Sequence, residues 1–150
     1  MNESEFAKWR ESSVREYAAD KVRAGNFDEE HSIEDSEKEH SSFLPDGLKT
    51  NGQYLYSVVD ERDGRRVGTI WYGEIRDIRK DTIYIYDIHV DKRFRGRGYG
   101  TAALRLVEDR ARELGKKRIA LHVFAHNERA RKLYEELGYR PTNITMAKNL

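Results

Sequence analysis

The strongest constraint on this chain is a hexamer with glycine at every second position, Arg95-Gly96-Arg97-Gly98-Tyr99-Gly100, set between a β-like run over residues 82–90 and a helix-like run over 101–114. Glycines at 96, 98 and 100 let the backbone turn tightly and come close to a ligand. The first amides of a helix that starts there are unpaired and sit at its positive dipole end. Strand, glycine-rich turn and helix make a phosphate cradle, and a pyrophosphate is the group it suits. Arg93, Arg95 and Arg97 crowd the same loop and favour a polyanion. Two nucleotide motifs do not fit. A Walker A loop ends in Gly-Lys-Ser/Thr, whereas Gly100 runs straight into Thr101. A dinucleotide fingerprint spaces its glycines GxGxxG in an opening βαβ unit, and here the spacing is GxGxG, two-thirds of the way along the chain. The hexamer alone also suits a plain tight connection, so its meaning rests on a partner motif.

That partner is Asn127-Glu128-Arg129-Ala130-Arg131-Lys132-Leu133-Tyr134-Glu135-Glu136-Leu137-Gly138-Tyr139. Asn127 is a helix N-cap by type, Ala130, Leu133, Tyr134 and Leu137 recur at helical spacing, and Gly138 supplies a left-handed stop. By itself this is an amphipathic helix that would pack on a sheet. In order and separation, RxxGxG followed by NxxAxxLYxxxGY resembles the GCN5-related N-acetyltransferase (GNAT) superfamily, over roughly residues 66–150.

The resemblance implies an α/β fold, with a mixed, mostly antiparallel central sheet and a splayed cofactor cleft flanked by helices. It implies acetyl-coenzyme A (acetyl-CoA) as co-substrate, with no metal. Its pyrophosphate falls to Arg95, Arg97, Gly98, Tyr99, Gly100 and Thr101. Ile88 and Val90 match strand positions whose backbone pairs with the pantetheine arm and polarises the acetyl carbonyl. Asn127 matches the asparagine that contacts the arm, and Tyr134 the tyrosine that protonates the departing thiolate. Chemistry agrees with these types. An amine attacking a thioester builds negative charge on oxygen and then on sulfur, which a backbone amide and a phenol stabilise. The attacking amine must first lose a proton whose pKa is near 10.4, so a base is needed.

The chain departs from the family in the identity of that base. Histone-type relatives carry a glutamate eleven residues before the first motif, where this chain has Tyr84. Ribosomal-protein acetylases carry one twelve residues before the motif tyrosine, and here that residue is His122. Histidine titrates near neutrality and relays protons, so His122 is the leading base, with Asp87, Glu74 and His89 as rivals. A structural histidine inside the sheet is the competing reading of His122.

The 150 residues, 37% of them hydrophobic, suit a single domain spanning 1–150, with a helical acceptor-side segment over 1–50 and the sheet and cofactor core over 51–150. Basic residues number 28 and acidic residues 27, a balance that argues against a nucleic-acid partner. There is no cysteine, which excludes disulfides, thiolate catalysis and cysteine zinc sites and fits the cytoplasm. No long apolar run suggests a membrane partner.

Along the chain, helices are expected over residues 4–24, with Phe6, Trp9, Val14, Tyr17, Ala18 and Val22 towards the core, and over 32–43, in an acidic neighbourhood. Strands are expected over 53–60, 66–75 and 82–90, separated by Asp63-Gly64 and by a charged turn over 76–81. Two more follow, over 118–124 and 143–148. The expected acceptor is a primary amine, a small molecule ahead of a peptide or protein, and the aromatics suited to hold its cation are sought among Tyr54, Tyr56, Trp71, Tyr72, Tyr84 and Tyr86, several of which are expected in the sheet core. The chain is expected to act as a monomer or homodimer. A non-catalytic acyl-CoA-binding sensor or delivery module is the alternative function.

Overall fold

Asn2 starts the first helix with a reciprocal cap. Its side chain accepts from the Glu5 amide at 2.9 Å, and its own amide donates to Glu5 Oε2 at 2.8 Å. This box sets the start of α1 (Glu3–Arg23), and Gly25, at φ 74°, ends it. The α1 face that carries Phe6, Trp9, Val14 and Ala18 is buried, while Tyr17 and Val22 are only half-buried. The second helix, α2 (Ser32–Phe43), lies against α1, and the buried Ser36 hydroxyl donates to the Val14 carbonyl at 2.8 Å.

These contacts belong to a computed structural model that describes residues 1–75 and 80–150. The charged turn expected over 76–81 lies mostly outside the described residues. After a short 3-10 turn (Gly47–Lys49) the chain forms β1 (Gln53–Val59), β2 (Arg66–Glu74) and β3 (Thr82–Val90), paired antiparallel in sequence order. The glycine-rich loop leads into α3 (Tyr99–Glu113), a crossover that returns the chain to β4 (Arg118–Leu121), parallel to β3. The last helix is α4 (Glu128–Glu136). The result is the mixed, mostly antiparallel sheet flanked by helices that the sequence implied.

Each sheet face has its own core. Ile70, Tyr72, Ile83 and Ile85 pack against Leu104 and Val107 of α3 and Tyr134 of α4. On the other face Leu55 and Trp71 meet Phe6 and Trp9 of α1. Ile83 and Leu104 have no exposed surface, and burial of each is worth about 1.5–3 kcal/mol.

Two expected strands differ from the structure. The strand expected over 118–124 is only four residues long, because the parallel ladder with β3 stops at Ile85 opposite Leu121. There β3 carries an extra residue. Trp71 pairs with Asp87 but Tyr72 pairs with Ile85, which leaves Tyr86 as a bulge. A bulge bends its strand and increases twist, so β3 turns away from β4 just where pairing would have continued. The strand expected over 143–148 is not formed. A strand exists only as part of a ladder, and these residues pair with no other strand among the described residues, leaving Ile144 78% and Met146 88% exposed.

Beyond the bulge, β3 is held closely against β2 at Gly68. A methyl group there would lie 2.1 Å from the His89 carbonyl oxygen. Gly68→Ala should therefore destabilise the chain by about 1–3 kcal/mol in urea unfolding, with the end of β3 displaced. Wild-type stability in this variant would show that the two strands do not approach as described.

Candidate active site

The parting of β3 and β4 opens a cleft of about 890 Å³ between the two strands, closed at one end by the start of α3 and along one side by α4. Past Ile85 the β4 side of β3 has no strand partner among the described residues, so backbone groups between Asp87 and Val90 can pair with a ligand instead.

At the α3 end, Gly96 and Gly98 adopt φ of 75° and 84°, and Gly98 is the N-cap. This cap explains why α3 begins at Tyr99 rather than at the Thr101 the sequence suggested. No side chain caps the helix and its first turn carries no acid. The free amides and dipole thus suit an anion. Arg95 folds the loop back on its strand, Nε donating to the Val90 carbonyl at 2.8 Å. The Tyr99 hydroxyl donates to Asp60 Oδ2 at 2.5 Å, and Arg62 reaches the same carboxylate at 2.7 Å and the phenol oxygen at 2.8 Å. This network ties the loop to the β1–β2 hairpin. The Arg62 guanidinium first, and the Tyr99 hydroxyl second, hold the Asp60 carboxyl well below the usual carboxylate range.

Of the residues singled out in the sequence, Ile88, Val90, Arg95, Gly98, Tyr99, Gly100, Thr101, His122, Asn127 and Tyr134 all line this cleft. Arg97 does not; it is exposed, with its guanidinium 5.9 Å from the Phe94 ring centre. Asn127 caps α4 by accepting from the Ala130 amide at 3.2 Å. Tyr134, on α4, is buried, and burial together with the Asp87 charge pushes its phenol up to about 12. It therefore keeps its proton at neutral pH.

The candidate bases separate clearly. Glu74 is outside the cleft lining and pairs with Lys116 at 2.9 Å. His89 lines the cleft but lies 3.5 Å from Glu16, whose hydrogen bond raises the imidazole's pKa and favours its protonated form. His122 stands on the β4 side, its ring edge-on to Phe124 at 4.8 Å. Loss of hydration, and then the Lys21 charge, lower its pKa and keep it neutral. Asp87, on β3, also lines the cleft and accepts from the Trp9 indole at 3.0 Å. Burial pushes its carboxyl up, because few groups replace the lost water.

Several lining residues belong to no motif, and of these the sequence placed Tyr17 only as a core-facing residue. Glu16, Tyr17 and His40 reach the cleft from α1 and α2, and Phe43 does so from the last turn of α2. Of the acidic run in α2, Glu34 and Asp35 pair with Lys38 at the surface, and only Glu39 lines the cleft.

The sequence profile of the Acetyltransferase (GNAT) family matches residues 10–139. The chain belongs to this family of acetyltransferases. It is similar along its whole length to two proteins of Bacillus subtilis (strain 168). The uncharacterised N-acetyltransferase YdgE is 38% identical, with 95% of its own length covered. YycN, likewise an uncharacterised N-acetyltransferase, is 35% identical with 96% covered. The YycN crystal structure matches all of this chain and 95% of its own, with a TM-score of 0.91. The same fold recurs at 17% identity and TM-score 0.62 in AAC(6')-Iy, solved with the bisubstrate analogue CoA-S-monomethyl-acetylneamine; that match covers 100% of this chain and 94% of the other. No helix among the described residues is long and apolar enough to cross a membrane.

The Asp60 tie has a definite pH signature. Because its folded pKa is depressed, its stabilisation is complete above the unfolded value near 3.8 and is lost as pH falls through the lower folded value. The difference in melting temperature between wild type and Asp60→Asn should stay constant from neutral pH down to about pH 4 and shrink only below it. A difference that faded near pH 6 would rule out this carboxylate as the anchor.

Proposed function

We propose that this chain is an acetyl-CoA-dependent N-acetyltransferase that acts on a primary amine by direct attack, with residues 1–150 working as one transferase domain. The observation that carries the reading is one gap walled by a protonated phenol, a neutral imidazole and a half-buried carboxylate, and ended by a bare helix N-terminus. The two full-length relatives named as N-acetyltransferases support it.

The cleft fits the co-substrate in two respects: a left-handed glycine cradle for the pyrophosphate, and a strand segment free to pair with the arm. Acetyl-CoA supplies an acetyl group already activated as a thioester. The amides from Gly98 to Thr101, with Arg95, hold the pyrophosphate, and Asn127 meets the arm. Arg97 adds positive charge at the mouth. The backbone at Ile88 and Val90 pairs with the arm and polarises the carbonyl. Asp87 draws the acceptor's ammonium into the gap, since a cation beside it relieves the cost of its burial. His122, neutral at pH 7, takes the proton that the ammonium must lose. Tyr134 donates to the departing sulfur. With a pKa near 12 it acts there chiefly as a hydrogen-bond donor to the developing thiolate. A small amine is favoured over a peptide because α1 and α2 both border the acceptor side.

Acetyl-CoA-dependent thiol release with an amine panel tests the reading, and turnover above acceptor-free hydrolysis is the expected result. Cofactor binding with no release on any amine would leave a binding module in its place. Tyr134→Phe should lower kcat by about 10²-fold while acetyl-CoA affinity stays close to wild type. An unchanged kcat would remove the phenol from the chemistry.

The acid limb of the kcat profile should fall below the ordinary histidine value of 6.5, because His122 is active when neutral and its pKa is lowered. In His122→Gln that limb should vanish, with a large loss of rate. A limb that survives in this variant and disappears in Asp87→Asn would transfer the base role to Asp87.

A further inference from the structure

The acceptor end of the cleft divides into one carboxylate with no ion-pair partner among the described residues and a wall of aromatic rings. Four carboxylates line this end: Glu16, Asp20, Glu39 and Asp87. Three have basic partners. Glu39 takes Lys21 at 3.3 Å and the Tyr17 hydroxyl at 2.6 Å, Asp20 takes His126 at 2.7 Å, and Glu16 lies 3.5 Å from His89. Asp87 has only the neutral Trp9 indole as a hydrogen-bond partner among the described residues, with His40 and His89 acting on it through longer-range charge. That leaves room for one ammonium, at Asp87.

Beside it stand rings. Trp71 and Tyr86 stack at 4.5 Å and 18°, Tyr84 lies 4.9 Å from Tyr86, and Phe43 lies 5.2 Å from Tyr86. All four line the cleft. Trp71 is buried and backs the wall, whereas Phe43 leaves 44% of its surface exposed at the rim. Exposed aromatic surface inside a binding cleft is what an apolar ligand body would cover.

Resting on the transferase reading above, we infer that the acceptor is a monoamine carried on an aromatic body, its nitrogen at Asp87 and its ring on the Phe43–Tyr86–Tyr84 wall. A polyamine's second ammonium would gain only a cation–π contact from these rings and no unengaged carboxylate, whereas an aromatic body covers their faces. A polyhydroxylated amine would lose hydration against the same rings with little to replace it.

The test compares phenethylamine, butylamine, putrescine and neamine as acceptors for the full chain. Calorimetric binding of phenethylamine to the CoA-loaded protein is measured alongside. Phenethylamine should exceed the other three in kcat/KM by about tenfold or more. Phe43→Ala should raise the KM for phenethylamine about tenfold and erase its advantage over butylamine, while Phe43→Tyr keeps the advantage. Putrescine or neamine as the best substrate would overturn the inference, as would Phe43→Ala slowing every amine alike. Phenethylamine binding that depends on Phe43, without thiol release, would support the aromatic wall and refute the transferase reading.

Discussion

The end of the ladder between β3 and β4 is the constraint on which the rest of this molecule depends. Four residue pairs hold the strands together, from Thr82 with Arg118 to Ile85 with Leu121, and then the bulge at Tyr86 turns β3 aside. A parallel pair that stops short leaves strand backbone to be paired by side chains, water or a ligand, as Arg95 does at the Val90 carbonyl. The bulge also reverses the alternation of β3. Ile83 and Ile85 enter the α3 face, Tyr86 and Asp87 both turn towards α1, and Ile88 returns to the α3 face. One extra residue thus opens the cleft and places a carboxylate on its wall.

Charge along the cleft follows from what supports each end. At the α3 end the backbone is the source, through a helix start with no acid in its first turn and an arginine anchored to Val90. At the α1–α2 end the carboxylates dominate, and most are already balanced by neighbours. On the proposed reading, an anionic cofactor and a cationic acceptor would be drawn to opposite ends by these fields. Between them, burial first and the Asp87 charge second raise the cost of ionising Tyr134 and keep the phenol protonated.

Much of the architecture was legible because it is written locally. The α2 and β3 boundaries read from periodicity coincide with those in the structure, and α1 differs by one residue at each end. The glycine-rich turn was legible for the same reason, since a positive φ at Gly96 and Gly98 is a demand on single residues. The residues grouped by two motifs come together in one cleft, Arg97 apart. What failed to read was what depends on a distant partner. The expected strand over 143–148 has the right alternation and no ladder to join, and the expected end of β4 at 124 was undone by a bulge in another strand. Glu74, a candidate base by composition, is drawn off by Lys116.

By itself the sequence determined the four helices and the first three strands, where the phosphate-suited turn lies, and that Tyr134 and His122 would accompany it, because caps, glycines and periodic apolar positions act within a few residues. Only the tertiary structure decided which groups share the gap and in what ionisation state. Asp87 meets Trp9 across 78 residues, Tyr99 meets Asp60 across 39, and Phe43 meets Tyr86 through the docking of α2 on the sheet. Burial and charge act through space, and no spacing along the chain encodes them.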